Sequence, residues 1–426
     1  MTRLFITGLG CFTPLGCTPA ELSENLLAGK SGLAPVSMPG LSAALPERIG
    51  GEVDYDAGVV KKTLLKPVRK SLKVMCREIQ LGVAAAASAL EASGVKTEPA
   101  RTGIEFGANL MLTPPSELFR QARATAESVE EFHVSKWPGS GYKEMEPLWL
   151  LKYLPNMPAC HIGILADAQG PNNSLTQDEA SSFLALAEAC RVLQRGWADA
   201  MICGATGTRV HEMKSTHAKM WDKLGLDPDD PATSCRPFDR ERNGQVVGEG
   251  AAAVILETES AANARSAPML AEVLGNGASC VISSDGVPNF RKALAQSMAA
   301  ALRDAKVDPG DVAYISAHGI GTPLEDQREA EAIHDVFGDH AANVPVYGLK
   351  GAIGNSGASS GMLQLAAAVA AKDAKKIPVT VGHETPDPSC NLNVVHGEAA
   401  DRGGNKVLMA SVTRLGQASA TLIELL

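Results

Sequence analysis

GPNNSLTQDEASSFLALAEACRVLQRGWADAMICGAT, residues 170–206, decides the fold. A strand, a sharp turn and a helix over 163–194, followed by an apolar Gly-flanked strand at 198–205, form a β–turn–α–β unit. Such a unit builds parallel sheets, because its helix carries the chain back across the sheet face. Six further apolar runs repeat the strand signature: 4–10, 102–112, 251–257, 312–319, 344–349 and 407–412. Alanine-rich helical stretches at 77–94, 179–196, 290–306, 326–336 and 359–373 separate them. Alternating strands and helices imply an α/β chain whose mostly parallel sheet is covered on both faces. Strands at 4–10 and 269–275 open two halves that echo one another. Segments 113–158 and 208–237 read as surface loops decorating that core.

Composition agrees. The chain has 426 residues, too many for one small core, with 45% hydrophobic and only 4% aromatic residues. A net charge of −9 argues against nucleic acid as a general partner. Between Val59 and Arg77, however, the chain places Lys61, Lys62, Lys66, Arg69, Lys70, Lys73 and Arg77 with no acid among them, either a solvated face or a dock for an acidic partner. Nine scattered cysteines form no C-x-x-C pair, so no metal site and no disulfide framework is expected. They read as small core residues in a reducing, cytoplasmic setting. No window reaches the roughly 20 apolar residues of a membrane span.

In the opening stretch, the residue that starts the helix projects into a cleft beside free backbone N–H groups, as in a nucleophile elbow. Glu179 stands there. The helix dipole favours an anion at that point, so the residue reads either as a placed carboxylate or as an ordinary first-turn acid.

Six collinear stretches carry a resemblance. ITGLGCFTPLG (6–16) opens the chain, YLPNMPACH (153–161) precedes the elbow, and GPN with ADAMICGAT (198–206) brackets it. CRPFDRERNGQVVGEGAAAVILE (235–257) is similar to the pattern R-P-F-D-x-x-R-x-G-F-x-x-G-E-G. AHGIGTPLEDQREAEAI (317–333) is similar to A-H-G-T-x-T-P-x-G-D-x-x-E-x-x-A, and LKGAIGNSGASSG (349–361) to K-x-x-x-G-H-x-x-x-A-x-G. The chain thus resembles the β-ketoacyl-[acyl carrier protein] synthases of the thiolase superfamily over essentially its whole length. The resemblance implies a five-layered α-β-α-β-α fold of two similar halves, 1–258 and 259–426, and a dimer formed through the region around 153–175.

Members of that family use a Cys-His-His set: the thiolate takes the acyl chain, and the histidines hold the malonyl thioester carbonyl during decarboxylation. By the resemblance, the cysteine is Glu179 here. His318 keeps the first histidine, Asn355 replaces the second, Lys350 keeps the family lysine, and Gln364 replaces its acidic partner. Thr413-Arg414-Leu415-Gly416-Gln417-Ala418 stands for G-F-G-G-T-N, which puts Arg414 at the aromatic gate, where it is expected to form a buried ion pair with Glu179. Gly248 and Gly250 read as tight-turn glycines and not as a phosphate cradle.

A carboxylate cannot accept an acyl group as a thiolate does. The first expectation is therefore a non-condensing partner subunit similar to chain-length factors. The second is a malonyl-carrier decarboxylase, for which His318 and Asn355 could polarise the carbonyl. The third is an active synthase with an unusual site, whose nearest alternative cysteine, Cys190, lies eleven residues further on. The resemblance also implies an acyl carrier protein as partner, docking on Lys66, Arg69, Lys70 and Lys73, in a homodimer or in a heterodimer with an active synthase. No cofactor is expected beyond the phosphopantetheine arm that arrives on the carrier, and no metal.

Overall fold

The computed structural model describes residues 2–36, 49–96, 98–126, 128, 131–227 and 229–426. At its centre lies a sheet of 13 strands. The first half contributes β1 (Leu4–Phe12), β2 (Thr102–Ala108), β3 (Asn172–Leu175), β4 (Ala200–Thr208) and β5 (Val247–Thr258). The second contributes β6 (Ala271–Cys280), β7 (Tyr314–Ser316), β8 (Pro345–Tyr347), β9 (Asn393–Val394), β10 (Lys406–Val412) and β11 (Gln417–Leu425). A short ribbon, Leu33–Pro35 with Ile49–Gly51, hangs off β5.

From the junction outward the first half runs β1-β5-β4-β2-β3, and the second runs β6-β11-β10-β7-β8 with β9 beyond. With β9 left out of the count, the two orders are the same when strands are counted within each half. Orientations match as well: the two pairs nearest the junction are antiparallel in each half, and the outer pairs are parallel. The halves join where β1 meets β6 through Phe5–Glu272 and Ile6–Ala271.

Helices α1 (Arg77–Ser93), α2 (Ser181–Gln194), α3 (Glu212–Trp221), α4 (Phe290–Ala305), α5 (Pro323–Phe337) and α6 (Ser360–Ala370) complete the architecture. α1 packs on the outer face of the first half, and α4 on that of the second. α2 and α6 lie between the halves and touch strands of both. Their apolar faces build the inner core: Phe183, Leu186 and Leu193 on one helix and Met362, Leu365 and Val369 on the other, against Leu256, Met409 and Ile423. The layers are helix, sheet, helix, sheet, helix, as the resemblance implied.

The first strand of each half carries a Gly-x-Gly pair that lets its outer helix sit close. A Cβ at Gly10 would lie 2.2 Å from the Ala85 carbonyl, and one at Gly277 2.0 Å from the Ser297 carbonyl. Backbone contact this close needs glycine on the strand.

The sheet is mixed and not mostly parallel, because the long strands nearest the junction pair antiparallel, and three local expectations also need correction. YLPNMPACH lies mainly in the helix Met157–Ala166, because the strand of the opening unit is the short β3 further on. Segment 208–237 is no plain loop: it contains α3, whose capping residue His211 accepts the Met213 N–H. Segment 113–158 likewise holds the helix Pro115–Thr125.

Candidate functional site

β3 ends at Leu175, and α2 begins at Ser181. Between them Asp178 adopts a left-handed backbone (φ 44°), a conformation that Asp tolerates better than most residues. A single 3₁₀ turn, Asp178–Ala180, then delivers Glu179 at the head of α2. Gly357 sits against this elbow, where a Cβ would come 2.8 Å from the Asp178 carboxylate.

Glu179 is buried, with 4% of its surface exposed. Its Oε1 accepts from Arg209 Nη2 at 2.8 Å and from Asn355 Nδ2 at 3.0 Å. Arg209 Nη2 also reaches Asp178 at 2.8 Å, and Nη1 reaches Gln245 Oε1 at 3.3 Å. The second Asn355 amide hydrogen goes to the same Gln245 oxygen at 2.8 Å, and Gln245 Nε2 donates to Asp222 at 2.7 Å. Asn355 Oδ1 accepts from Gly357 N and Ser360 Oγ, each at 3.2 Å. Burial pushes the Glu179 carboxyl above its usual range, and the Arg209 guanidinium works against that rise.

The expected Glu179–Arg414 pair is absent: Arg209 takes that role. Arg414 is exposed in the β10–β11 hairpin and lies over the Trp221 ring, 4.4 Å from its centroid. Arg414, Trp221, Arg209 and Asp178 all line one cavity of about 710 Å³. Arg414 therefore stands at the rim of that cavity, and not in its floor.

On the other side, β7 leads into the buried His318. Burial, then the neighbouring Lys350 and Arg209, hold its imidazole well below the usual histidine range, so it is neutral. Lys350 Nζ approaches His318 Nδ1 at 3.2 Å and also donates to the His318 carbonyl. With Nδ1 facing donors, the ring proton belongs on Nε2. Glu329 accepts the His318 and Gly319 N–H groups, each at 2.7 Å, while Asp326 accepts those of Ile320 and Phe238 at 3.0 and 2.8 Å. The acids in 317–333 thus fix the backbone that presents His318. Lys350 has no carboxylate within ion-pair distance among the described residues, and burial lowers it to about 8. Gln364 donates to the Ala317 carbonyl, holding the same strand end from α6.

Of the basic run, Arg77 is committed elsewhere: its guanidinium binds the buried Glu249 at 2.6 Å and the Val53 carbonyl. Lys66, Arg69, Lys70 and Lys73 are exposed and have no ion-pair partner among the described residues. Lys73 lines a second cavity of about 300 Å³ that shares Leu112 and Lys214 with the first.

Sequence reasoning missed Arg209 and Gln245. Arg209 lay in a segment read as loop. Gln245 did carry a signal, since the quoted R-P-F-D-x-x-R-x-G-F pattern has phenylalanine at its position.

The chain matches the beta-ketoacyl synthase N-terminal domain over residues 1–262 and the C-terminal domain over 270–384. It is 32% identical to the 3-oxoacyl-[acyl-carrier-protein] synthase 2 of Coxiella burnetii, covering 99% of this chain and 98% of that one. It is 31% identical to the tetracenomycin polyketide synthase ketoacyl synthase alpha subunit of Streptomyces glaucescens, covering 95% and 93%. Among solved structures, the ishigamide ketosynthase/chain length factor superposes with a TM-score of 0.84 at 26% identity, covering 100% of this chain and 99% of that one. The chain belongs to the β-ketoacyl synthase family and has its thiolase-like fold.

Proposed function

We propose that this chain is a non-condensing partner subunit of an active ketosynthase in type II fatty-acid or polyketide synthesis, a role of the chain-length-factor kind. One observation carries the reading: both amide hydrogens of Asn355 are used, one by Glu179 and one by Gln245, so neither is left to polarise a thioester carbonyl. Glu179 itself, tied to Arg209, offers no nucleophile to an acyl group. Cys190 does not replace it, because burial raises its thiol to about 12 and leaves it without thiolate character. His318 alone keeps a ring N–H for a carbonyl, which is half of a decarboxylating pair and makes starter-unit supply the second reading.

The free edge of β3, which pairs only with β2 among the described residues, is a strand on which a second synthase-type chain could continue the sheet. The carrier protein, which the name of the Coxiella burnetii relative includes, docks on Lys66, Arg69, Lys70 and Lys73 and brings its own phosphopantetheine arm. A cytoplasmic setting goes with this role; among the described residues no helix is long and apolar enough to cross a membrane.

The test is intact-mass analysis of malonyl-loaded carrier incubated with the chain, beside native mass spectrometry of the chain mixed with an active ketosynthase. Unchanged malonyl carrier and a one-to-one complex are expected. Acetyl carrier that disappears in His318→Ala would overturn the reading in favour of a decarboxylase. Reversing two docking charges, Arg69→Glu with Lys70→Glu, weakens carrier binding at least thirtyfold by titration at low salt, on the order of 1 kcal/mol per charge. Unchanged affinity would remove that face from the reading.

A further inference from the structure

A cleft of about 890 Å³ lies on the outer face of the second half, between α4, the turn that follows it and the last turn of α5. It shares no lining residue with the cavity above the Glu179 cluster. The first half has no such opening over its own outer helix. There α1 buries eleven of its 17 residues, whereas α4 buries seven of its 16. Val60, Leu65 and Val68, on the chain that leads into α1, join the core beside Ile79 and Leu81, and Leu90 and Val95 pack against it at the far end. In the second half the loop into α4 leaves Ile282 and Val287 exposed, and the α4–α5 cleft stays open.

Charge decides what the cleft fits. Its walls carry Arg291, Lys292, Arg303 and Lys306 against two carboxylates, Asp308 and Asp335. Arg291 binds Asp335 at 2.6 Å and Glu331 at 3.0 Å. Lys292, Arg303 and Lys306 are exposed and have no ion-pair partner among the described residues. Three free cations therefore gather at one cleft of a chain whose net charge is −9. Leu302, Val307, Pro309 and Val336 make part of the lining apolar. Unpaired cations beside apolar surface favour an anionic partner that also has an apolar side. Lys292 and Lys306 stand about 20 Å apart along α4, the length of a helix of about four turns.

We infer that the α4–α5 cleft docks an acidic amphipathic helix of a protein partner, with its apolar side on Leu302, Val307 and Val336 and its carboxylates toward Lys292, Arg303 and Lys306. A helix laid between two packed helices fits their ridges and grooves. A small anion is not the occupant, because these cations are spread along the cleft and exposed, and form no compact cage. The β3 edge and the Lys66–Lys73 face belong to the first half, so this partner binds beside the synthase and the carrier without displacing either.

The test is fluorescence anisotropy of a labelled helical peptide of about 16 residues, with Leu along one face and Glu on the other, titrated with the full chain at about 50 mM salt. Saturable binding is expected. It should weaken about tenfold or more in Lys292→Glu with Lys306→Glu, and equally when every Glu of the peptide is replaced by Lys. Ala299→Arg adds a cation but fills the cleft, and should also lose binding. A Tm equal to that of the wild type in each variant separates loss of the site from loss of the fold. Absence of saturable binding, or unchanged affinity after the double charge reversal, would overturn the proposal. So would tighter binding to Ala299→Arg, which would show attraction by charge alone. Loss of peptide binding in Arg69→Glu with Lys70→Glu would overturn it as well, by moving the helix to the carrier face.

Discussion

The two halves of this molecule have one strand order, one set of strand orientations and the same Gly-x-Gly contact between first strand and outer helix, yet they present opposite chemistry to the shared site. The first half supplies Glu179 and Arg209, which neutralise each other, together with Gln245, which ties up Asn355. The second supplies His318 on a backbone anchored by Asp326 and Glu329, with Lys350 set against it and its ring N–H still free to donate. One half closes its end of the site while the other retains a working donor. Fold symmetry is set by the apolar layers, whereas the site depends on a few polar side chains at strand ends, so the second can diverge without disturbing the first.

The strongest test of this contrast removes one cation from each half. Arg209→Met leaves Glu179 buried and uncompensated and should cost about 3–5 kcal/mol in urea unfolding. Lys350→Met removes a buried cation that has no carboxylate partner, and should stay within about 1 kcal/mol of the wild type because its lost hydrogen bonds offset the relief of desolvation. Equal losses would mean that the second half is as tightly closed as the first.

A smaller effect separates the halves by pH. Glu105, in the middle of β2, is buried, its Oε2 has no hydrogen-bond partner among the described residues, and burial, then Glu188, raises it to about 7. The folded chain therefore binds this proton more tightly than the unfolded chain. Stability from Glu105 is complete below the unfolded value of about 4.3 and is lost as pH rises through about 7. Glu105→Gln should be neutral near pH 4 and stabilising by about 2 kcal/mol at pH 8. β7, the matching strand of the second half, is Tyr314, Ile315 and Ser316 and has no acid to titrate. A pH-independent effect of Glu105→Gln would show that the carboxyl is hydrated in solution.

The smallest effect belongs to the rim. Arg414→Ala loses one exposed cation–π contact and should lower stability by less than about 1 kcal/mol, read as a slight fall in Tm. A larger loss would place Arg414 inside the closed cluster, as the sequence had suggested.

Layered architecture was legible in the chain because it follows from periodicity: apolar runs for the strands and alanine-rich stretches for α1, α2, α4 and α6, each found within a few residues of its expected place. YLPNMPACH misled because a short apolar run fits either a strand or a helix. In the site, Glu179, His318, Lys350 and Asn355 were legible as positions from their motifs, and the structure brings them to one place. Arg209 was not, because nothing local in its segment marks a charge destined for burial.

By itself, the sequence determined the family, the two-half layered fold and the identity of the groups at the site, since those depend on local patterns and ordered motifs. Only the tertiary structure decided which groups pair. Glu179 meets Arg209 and not Arg414, and Asn355 spends both donors, because strands β4 and β5 and the heads of helices α2 and α6, far apart in the chain, converge on one buried point. There an unmatched charge is too costly to persist, and the partner is whichever cation the packing brings within reach.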